Sequence, residues 1–518
     1  MTSPDDTSQA QIAPEVRAAP ALRLVVLIAL AVIAVAIPWQ LRWGTVADTS
    51  WIITICERLY AGERLYTDIV ETNPPFSVWL YMPAYIVSVW LRVAPEFLVH
   101  AYAYAICAFG LGFAAIIARK AGFAENAHLF ALLPVFIALL LLLPGNAFTE
   151  RDHLGTALLG PLLALTAWRI AADVQKQPGW RIAVLAGLSG SVIVLIKPYY
   201  VLVIIGPALY LAWRKRSLRP LFGIEYWSAG IACLVYLAAV LWVYPQFTNE
   251  ILPLLSETYL RIKLPFWMPL QRYGAGYVLI LVLLTMIRPG LPLSPLAAVL
   301  SIASAAGMAV MVYQAKGWPY HAYPAVALGL AAVLCQAVRP PFETLRQLGR
   351  IRVLLLAVAV VINAVPFMTT QKPDARLATA IREAHERPTV AFIGTDIAAG
   401  HPLTRMAGGK WVSAYGSDWL GLFALYLAGA AQRNGDPAAD RFRMIASGYA
   451  AFKLEELIRT SPDILIVQKD DAVWRDYFAG REGFSRFMLD YRLLGEDETT
   501  FAYMRDVRVM PDGSPAAW

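Results

Sequence analysis

The chain has 518 residues, 58% hydrophobic and 16% charged, with a formal net charge of +7 and a mean hydropathy of +0.54. A soluble protein carries about 25% charged residues. The composition therefore excludes a soluble globular protein and implies an α-helical membrane protein with many crossings. The basic residues lie in loops between apolar runs, where they report topology and exclude nucleic-acid binding as the reason for the positive charge. Cys56, Cys107, Cys233 and Cys335 are scattered. Three of them sit in apolar runs as small hydrophobes, and no disulfide framework or metal spacing emerges.

Residues 1–20 are polar and read as a disordered cytoplasmic tail. A transmembrane region follows over 21–370, then a small domain over 371–518. Ala34-Val35-Ala36 mimics a signal-peptidase site, but the many later apolar runs make the first one an anchor. The apolar runs are 22–41, 76–91, 97–118, 128–143, 154–172, 182–196, 199–213, 226–243, 273–287, 291–313, 321–338 and 352–368. Basic clusters mark cytoplasmic loops: Arg119-Lys120; Arg169, Lys176 and Arg181; Arg214-Lys215-Arg216 with Arg219; and Arg339, Arg346, Arg350 and Arg352. The other loops (42–75, 144–153, the Lys197-Pro198 turn, 244–272, 314–320 and the tail from 370) then face the opposite side. Parity makes 76–91 a re-entrant or surface-lying segment, in keeping with Pro74-Pro75 and the interfacial Trp79, Tyr81, Tyr85 and Trp90. About eleven crossings remain, with an outward C-terminal domain.

The first outward loop runs Arg42-Trp-Gly-Thr-Val-Ala-Asp48-Thr-Ser, Glu57-Arg-Leu-Tyr-Ala-Gly-Glu-Arg-Leu-Tyr66-Thr-Asp68, Glu71-Thr-Asn73-Pro74-Pro75-Phe76. Asp48 is either the N-cap of a short helix or a reactive carboxylate at the membrane lip. Glu150-Arg151-Asp152-His153 puts four polar groups between two apolar runs, which is costly unless they pair locally or serve a site. Lys197, at a hairpin apex before Pro198, is a snorkelling lysine or a point charge for a phosphate. The 244–272 loop offers Arg261 and Lys263 among aromatics. Tyr313-Gln314-Ala-Lys316-Gly-Trp318-Pro-Tyr320-His321 is too polar for an aromatic belt alone, so Lys316 and His321 are ligand-facing candidates. Asp48, Glu150 and Asp152 supply carboxylates for a possible divalent cation, with no spacing that demands one.

From about 372 the composition becomes soluble-like. Residues 389–394 and 463–467 read as buried strands, 442–460 as a helix and 499–506 as a last strand, giving an α/β domain. Gly408-Gly409-Lys410 is too short for a phosphate loop. His385 and His401 read as surface or turn histidines.

A first helix, an outward loop with an early Asp, a Gly62-x-x-Leu65-Tyr66-x-Asp68 segment and then Pro74-Pro75-Phe76 resemble the GT-C integral-membrane glycosyltransferases. The resemblance is to the protein O-mannosyltransferase and lipid A aminoarabinose-transferase group. It continues through Glu150–Asp152 and Leu195-Ile-Lys197-Pro198, covering about residues 20–215. It implies a GT-C-like polytopic fold, a polyprenyl-phosphate-linked sugar as donor, and an envelope glycan, glycolipid or protein as acceptor at the outer face of a bacterial inner membrane. It carries the catalytic-base role onto Asp48, a cavity role onto Glu150 or Asp152, and a phosphate-side role onto Lys197. Asn73 stands where the group often has a phosphate-binding lysine, so Lys197, Arg261, Lys263, Lys316 and His321 become the candidates for the donor side. Three rivals remain. A secondary transporter or flippase would carry mid-membrane charges and repeats. An O-antigen ligase or polymerase would rely on outward Arg and His. A non-catalytic assembly protein would bind a glycan through the outer domain.

Overall fold

A computed structural model describes residues 15–42, 44–123, 127–171, 177–338, 349–369 and 375–506. The tail over 1–14, the basic residues Lys176, Arg339 and Arg346, and the 370/371 boundary lie outside the described residues.

The order of elements begins with α1 (Glu15–Leu41), α2 (Ala47–Tyr60), α3 (Phe76–Trp79), α4 (Met82–Leu91), α5 (Pro95–Lys120), α6 (Ala127–Ala131), α7 (Leu133–Leu141) and α8 (Arg151–Ala171). It continues with α9 (Trp180–Ile196), α10 (Leu202–Lys215), α11 (Ile224–Val243), α12 (Leu252–Glu257), α13 (Trp267–Met286), α14 (Pro295–Gln314), α15 (Tyr323–Ala337) and α16 (Gly349–Ala364). Among the described residues eight helical segments are long and apolar enough to cross a membrane, and three apolar ones are shorter: Phe76–Leu91, Leu129–Leu141 and Trp180–Ile196. The Phe76–Leu91 segment is broken between α3 and α4. At 1.5 Å per residue α4 is about 15 Å long, half a hydrocarbon core.

Helix α8 is the spine of the bundle. It is buried along almost its whole length and packs on α5, α9 and α14. Gly110 allows the closest approach: a Cβ there would fall 2.1 Å from the Ala157 carbonyl oxygen. The α9–α10 hairpin turns where expected, with Lys197 extended and a 3-10 turn over Pro198–Val201.

The loops assigned to one side by charge meet at one end of the bundle. Trp39 Nε1 donates to the Leu142 carbonyl at 3.2 Å, Lys316 Nζ to the Tyr259 carbonyl at 2.6 Å and Lys263 Nζ to the Tyr313 carbonyl at 3.0 Å, while Asn146 donates to the Thr369 carbonyl.

The C-terminal region comprises α17 (Ala375–Ala384), β1 (Thr389–Ile393), α18 (Ile397–Met406), β2 (Lys410–Trp411), α19 (Trp419–Arg433), α20 (Ala438–Thr460), β3 (Ile464–Gln468), α21 (Ala472–Ala479), α22 (Phe484–Met488), β4 (Tyr491–Glu496) and β5 (Thr500–Arg505). The sheet order is β2-β1-β3-β5-β4. β1 is parallel to β2 and β3, and β5 is antiparallel to β3 and β4. The continuous apolar runs of β1 and β3 reflect burial on both faces. His401 is not the surface or turn histidine the sequence suggested. It is fully buried because its ring stacks on Trp411 at 3.9 Å between centroids and its Nε2 lies 2.9 Å from the Gly416 carbonyl.

This domain grips the first loop. Val70 N donates to the Ala414 carbonyl at 2.8 Å and Arg58 to the Ser413 carbonyl at 2.5 Å. Arg405 pairs with Glu57 at 3.1 Å and with Glu96 at 2.5 Å.

Candidate active site

Asp48 lies in the first turn of α2. The helix starts at Ala47 after an extended Val46 that makes no side-chain cap, so the capping role weighed for Asp48 is not the one it takes. Its Oδ2 instead meets Arg151 Nη2 at 3.1 Å, and its side chain keeps 22% exposure. Among the described residues Oδ1 takes no hydrogen bond, so one carboxylate oxygen faces outward from the pair.

Arg151 opens α8 and is buried. Its other terminal nitrogen lies 3.6 Å from Glu71 Oε1. Glu71 is buried beneath α2, where Trp51 Nε1 donates to its Oε2 at 2.6 Å. Asn73 turns its side-chain amide onto Glu71 Oε1 at 2.5 Å, so the residue standing in place of a phosphate-binding lysine braces this carboxylate. One buried acid, Glu71, and one partly exposed acid, Asp48, thus flank a single buried guanidinium.

The four residues at the mouth of α8 do not pair with one another. Asp152 is fully buried and receives Lys197 Nζ on Oδ2 at 2.7 Å and the Tyr200 hydroxyl on Oδ1. Lys197, weighed as a contact for the donor phosphate, has its Nζ paired with Asp152 inside the bundle and 5.0 Å over the Tyr320 ring. His153 Nε2 lies 2.8 Å from the Leu140 carbonyl. Glu150, in the loop before α8, is buried and its Oε2 has no hydrogen-bond partner among the described residues. Burial first, and then the neighbouring Asp48 carboxylate, push its carboxyl well above the usual carboxylate range. Glu150 therefore favours the neutral form beside Asp48. The divalent-cation site considered for these acids does not form: among the described residues no group of three His, Cys, Asp or Glu is placed to hold a metal.

Lys316 lies 4.0 Å over the Tyr259 ring and donates to the Tyr259 and Ile262 carbonyls, at 2.6 and 2.5 Å. An ammonium has three protons to donate, so one remains. Burial, reinforced by Lys263, brings Lys316 down to about 8. Burial and next the Asp48 carboxylate raise the Tyr259 phenol to about 12. His321 is buried edge-on against Tyr320, ring centroids 4.7 Å apart, with Nδ1 unpartnered among the described residues. Lys263 sits over the Tyr313 ring at 4.4 Å, and Arg261 reaches the Phe442 ring of the C-terminal domain at 5.9 Å.

A cavity of about 1250 Å³ opens beside this cluster. Its walls are Ala47 and Ser50 of α2, Lys316–Pro319, Arg42, Arg272 and α18 of the C-terminal domain. A second, apolar groove of about 570 Å³ lies between Phe76, Trp79, Leu195, Trp227 and Tyr236, starting one residue after the double proline.

The architecture has a solved counterpart. The chain has the fold of ArnT. The crystal structure of ArnT from Cupriavidus metallidurans bound to undecaprenyl phosphate superposes with a TM-score of 0.52 at 13% identity, covering 93% of this chain and 97% of that one. Its apo state gives 0.53 at 14% identity, covering 92% and 97%. The likeness to ArnT therefore runs through both the bundle and the C-terminal region, and it is the GT-C fold that the loop motifs suggested. No family model and no curated protein matches the sequence.

Sequence reasoning passed over Glu71, Trp51 and Arg272. Glu71 carried a signal, since a lone acid closing the apolar Ile69-Val70 pair in a loop otherwise polar is a buried acid awaiting a partner. Arg272 was hidden at the start of an apolar run.

Proposed function

We propose that the chain is an inverting glycosyltransferase that moves a sugar from a polyprenyl-phosphate donor to an envelope glycan, glycolipid or protein acceptor. The observation that carries this is Asp48, an accessible carboxylate with one oxygen held by Arg151 and the other open, beside a cavity edged with cations. The ArnT-like fold supports it, as one of the ArnT structures holds undecaprenyl phosphate. In the step, the acceptor hydroxyl gives its proton to Asp48 Oδ1 as its oxygen bonds to the anomeric carbon. The bond from that carbon to the phosphate oxygen breaks, and polyprenyl phosphate leaves with the electron pair. Lys316 and Arg272, both on the cavity wall, stabilise the charge that develops there. The apolar groove beside Phe76 suits the first isoprene units. In this scheme the chain crosses a bacterial inner membrane about eleven times, with the site and the C-terminal domain on the periplasmic side.

The direct test supplies purified full-length protein with undecaprenyl-phosphate-linked hexoses and pentoses plus total envelope lipid, and follows liberation of undecaprenyl phosphate by mass spectrometry. No liberation from any donor rejects the assignment.

Lys316 adds a pH signature. With its pKa down at about 8, Lys316 is charged below that pH and neutral above it. The kcat/KM for the donor should therefore fall as pH climbs from about 7 to 9, since one charge both binds the donor phosphate and meets the charge that develops on it. Lys316→Arg stays charged throughout this range and should flatten the profile; an unchanged alkaline limb in that variant removes Lys316 from the donor site.

A further inference from the structure

We propose that Trp51 is a positioning residue through which the C-terminal domain sets the orientation of Asp48; this rests on Asp48 being the base. Trp51 is three residues after Asp48 on α2, so the two share a helix face. The indole N–H donates to Glu71 Oε2 at 2.6 Å. Glu71 Oε1 lies 3.6 Å from one Arg151 nitrogen, and the other Arg151 nitrogen lies 3.1 Å from Asp48 Oδ2. Trp51, Glu71, Arg151 and Asp48 therefore form a circuit that leaves α2 and returns to it.

The C-terminal domain fixes both ends of the Trp51–Glu71 bond. The Trp51 side chain is 5% exposed, and its ring centroid is 4.7 Å from that of His401 and 6.4 Å from that of Trp411. A Cβ at Gly416 would fall 2.9 Å from the indole, so the backbone there lies flat on the ring. The acceptor side is held by the same segment: Val70, the neighbour of Glu71, donates to the Ala414 carbonyl at 2.8 Å. Residues 414–416 thus seat the indole and the strand carrying its acceptor together. A loosened indole lets Glu71 and the Arg151 fork turn, and Asp48 Oδ1 turns with them. Geometry of this kind acts on the chemical step, while donor binding relies on Lys316 and Arg272, which line the cavity.

Trp51→Phe keeps an aromatic ring in the pocket but removes the N–H donor along with part of the indole. In the undecaprenyl phosphate liberation assay with full-length protein, kcat should fall roughly tenfold to a hundredfold while the donor KM stays unchanged. Trp51→His returns a ring N–H at the same distance from the backbone and should recover much of the loss. Gly416→Ala, made entirely from the C-terminal side, should lower kcat in the same way, and it carries the test if Trp51→Phe does not fold. A kcat equal to wild type in Trp51→Phe, or a loss confined to KM, overturns the inference. Asp48→Asn separates the two failures. If Asp48→Asn works at the wild-type rate, the base assignment is wrong; if it is inactive while Trp51→Phe is fully active, only the positioning role falls.

Discussion

Asp48→Asn should reduce kcat by about 10²–10⁴-fold, the range for removing a general base, and leave the protein folded. Asparagine is isosteric, and its amide oxygen still accepts from Arg151 Nη2, where Asp48 Oδ2 now sits at 3.1 Å. The remaining position, where Oδ1 is open, becomes an amide nitrogen with no basicity. The acceptor hydroxyl then has nowhere to send its proton as it attacks. Donor binding should persist, because the substitution leaves Lys316 and Arg272, which line the cavity, unchanged. The measurement is a pair of readings on one preparation: liberation of undecaprenyl phosphate, and thermal unfolding in detergent. Full activity in this variant would remove Asp48 from the mechanism. Loss of activity with a lowered unfolding temperature would indicate a structural role within the Arg151 pair.

The second large effect is on stability. Lys197→Met should destabilise the bundle by about 3–5 kcal/mol, the cost of leaving one member of a buried pair without the other. Asp152 is fully buried; its oxygens are met by Lys197 Nζ at 2.7 Å and by the Tyr200 hydroxyl. Without the ammonium, a carboxylate remains inside with one neutral donor. The double variant Lys197→Met/Asp152→Leu removes both charges and fills the space with apolar atoms, so it should regain most of the lost stability. Thermal unfolding of the two variants beside wild type decides this. If the single variant is as stable as wild type, the pair has no structural role and Lys197 returns as a candidate for the donor phosphate.

Much of the fold is legible because a bilayer imposes length and polarity on each segment. The apolar runs became helices, the loops grouped by charge meet at one end, and the hairpin turns at Lys197-Pro198. The strands at 389–394 and 463–467 were legible from their uninterrupted β-branched and aromatic character. What the sequence hides is pairing over distance. Glu150-Arg151-Asp152-His153 reads equally as a locally paired cluster or as an acidic wall of a cavity, while in the fold Arg151 reaches Asp48 across 103 residues and Asp152 reaches Lys197 across 45. Periodicity says nothing about which buried charges meet. His401 was misplaced for a related reason: a lone histidine looks like a surface residue until the tryptophans that cover it, Trp51 and Trp411, arrive from separate parts of the chain.

The bond from Arg58 to the Ser413 carbonyl joins residues 355 positions apart. Contacts of such separation form late, since all the intervening chain must be made and ordered first. Here the intervening chain holds every membrane helix after α1. A growing polypeptide made as far as α16 still lacks the segment that seats Trp51 and the Val70–Glu71 stretch. The circuit around Asp48 would thus be completed only at the end of the chain's own synthesis, and truncated or stalled chains would sit in the membrane without it.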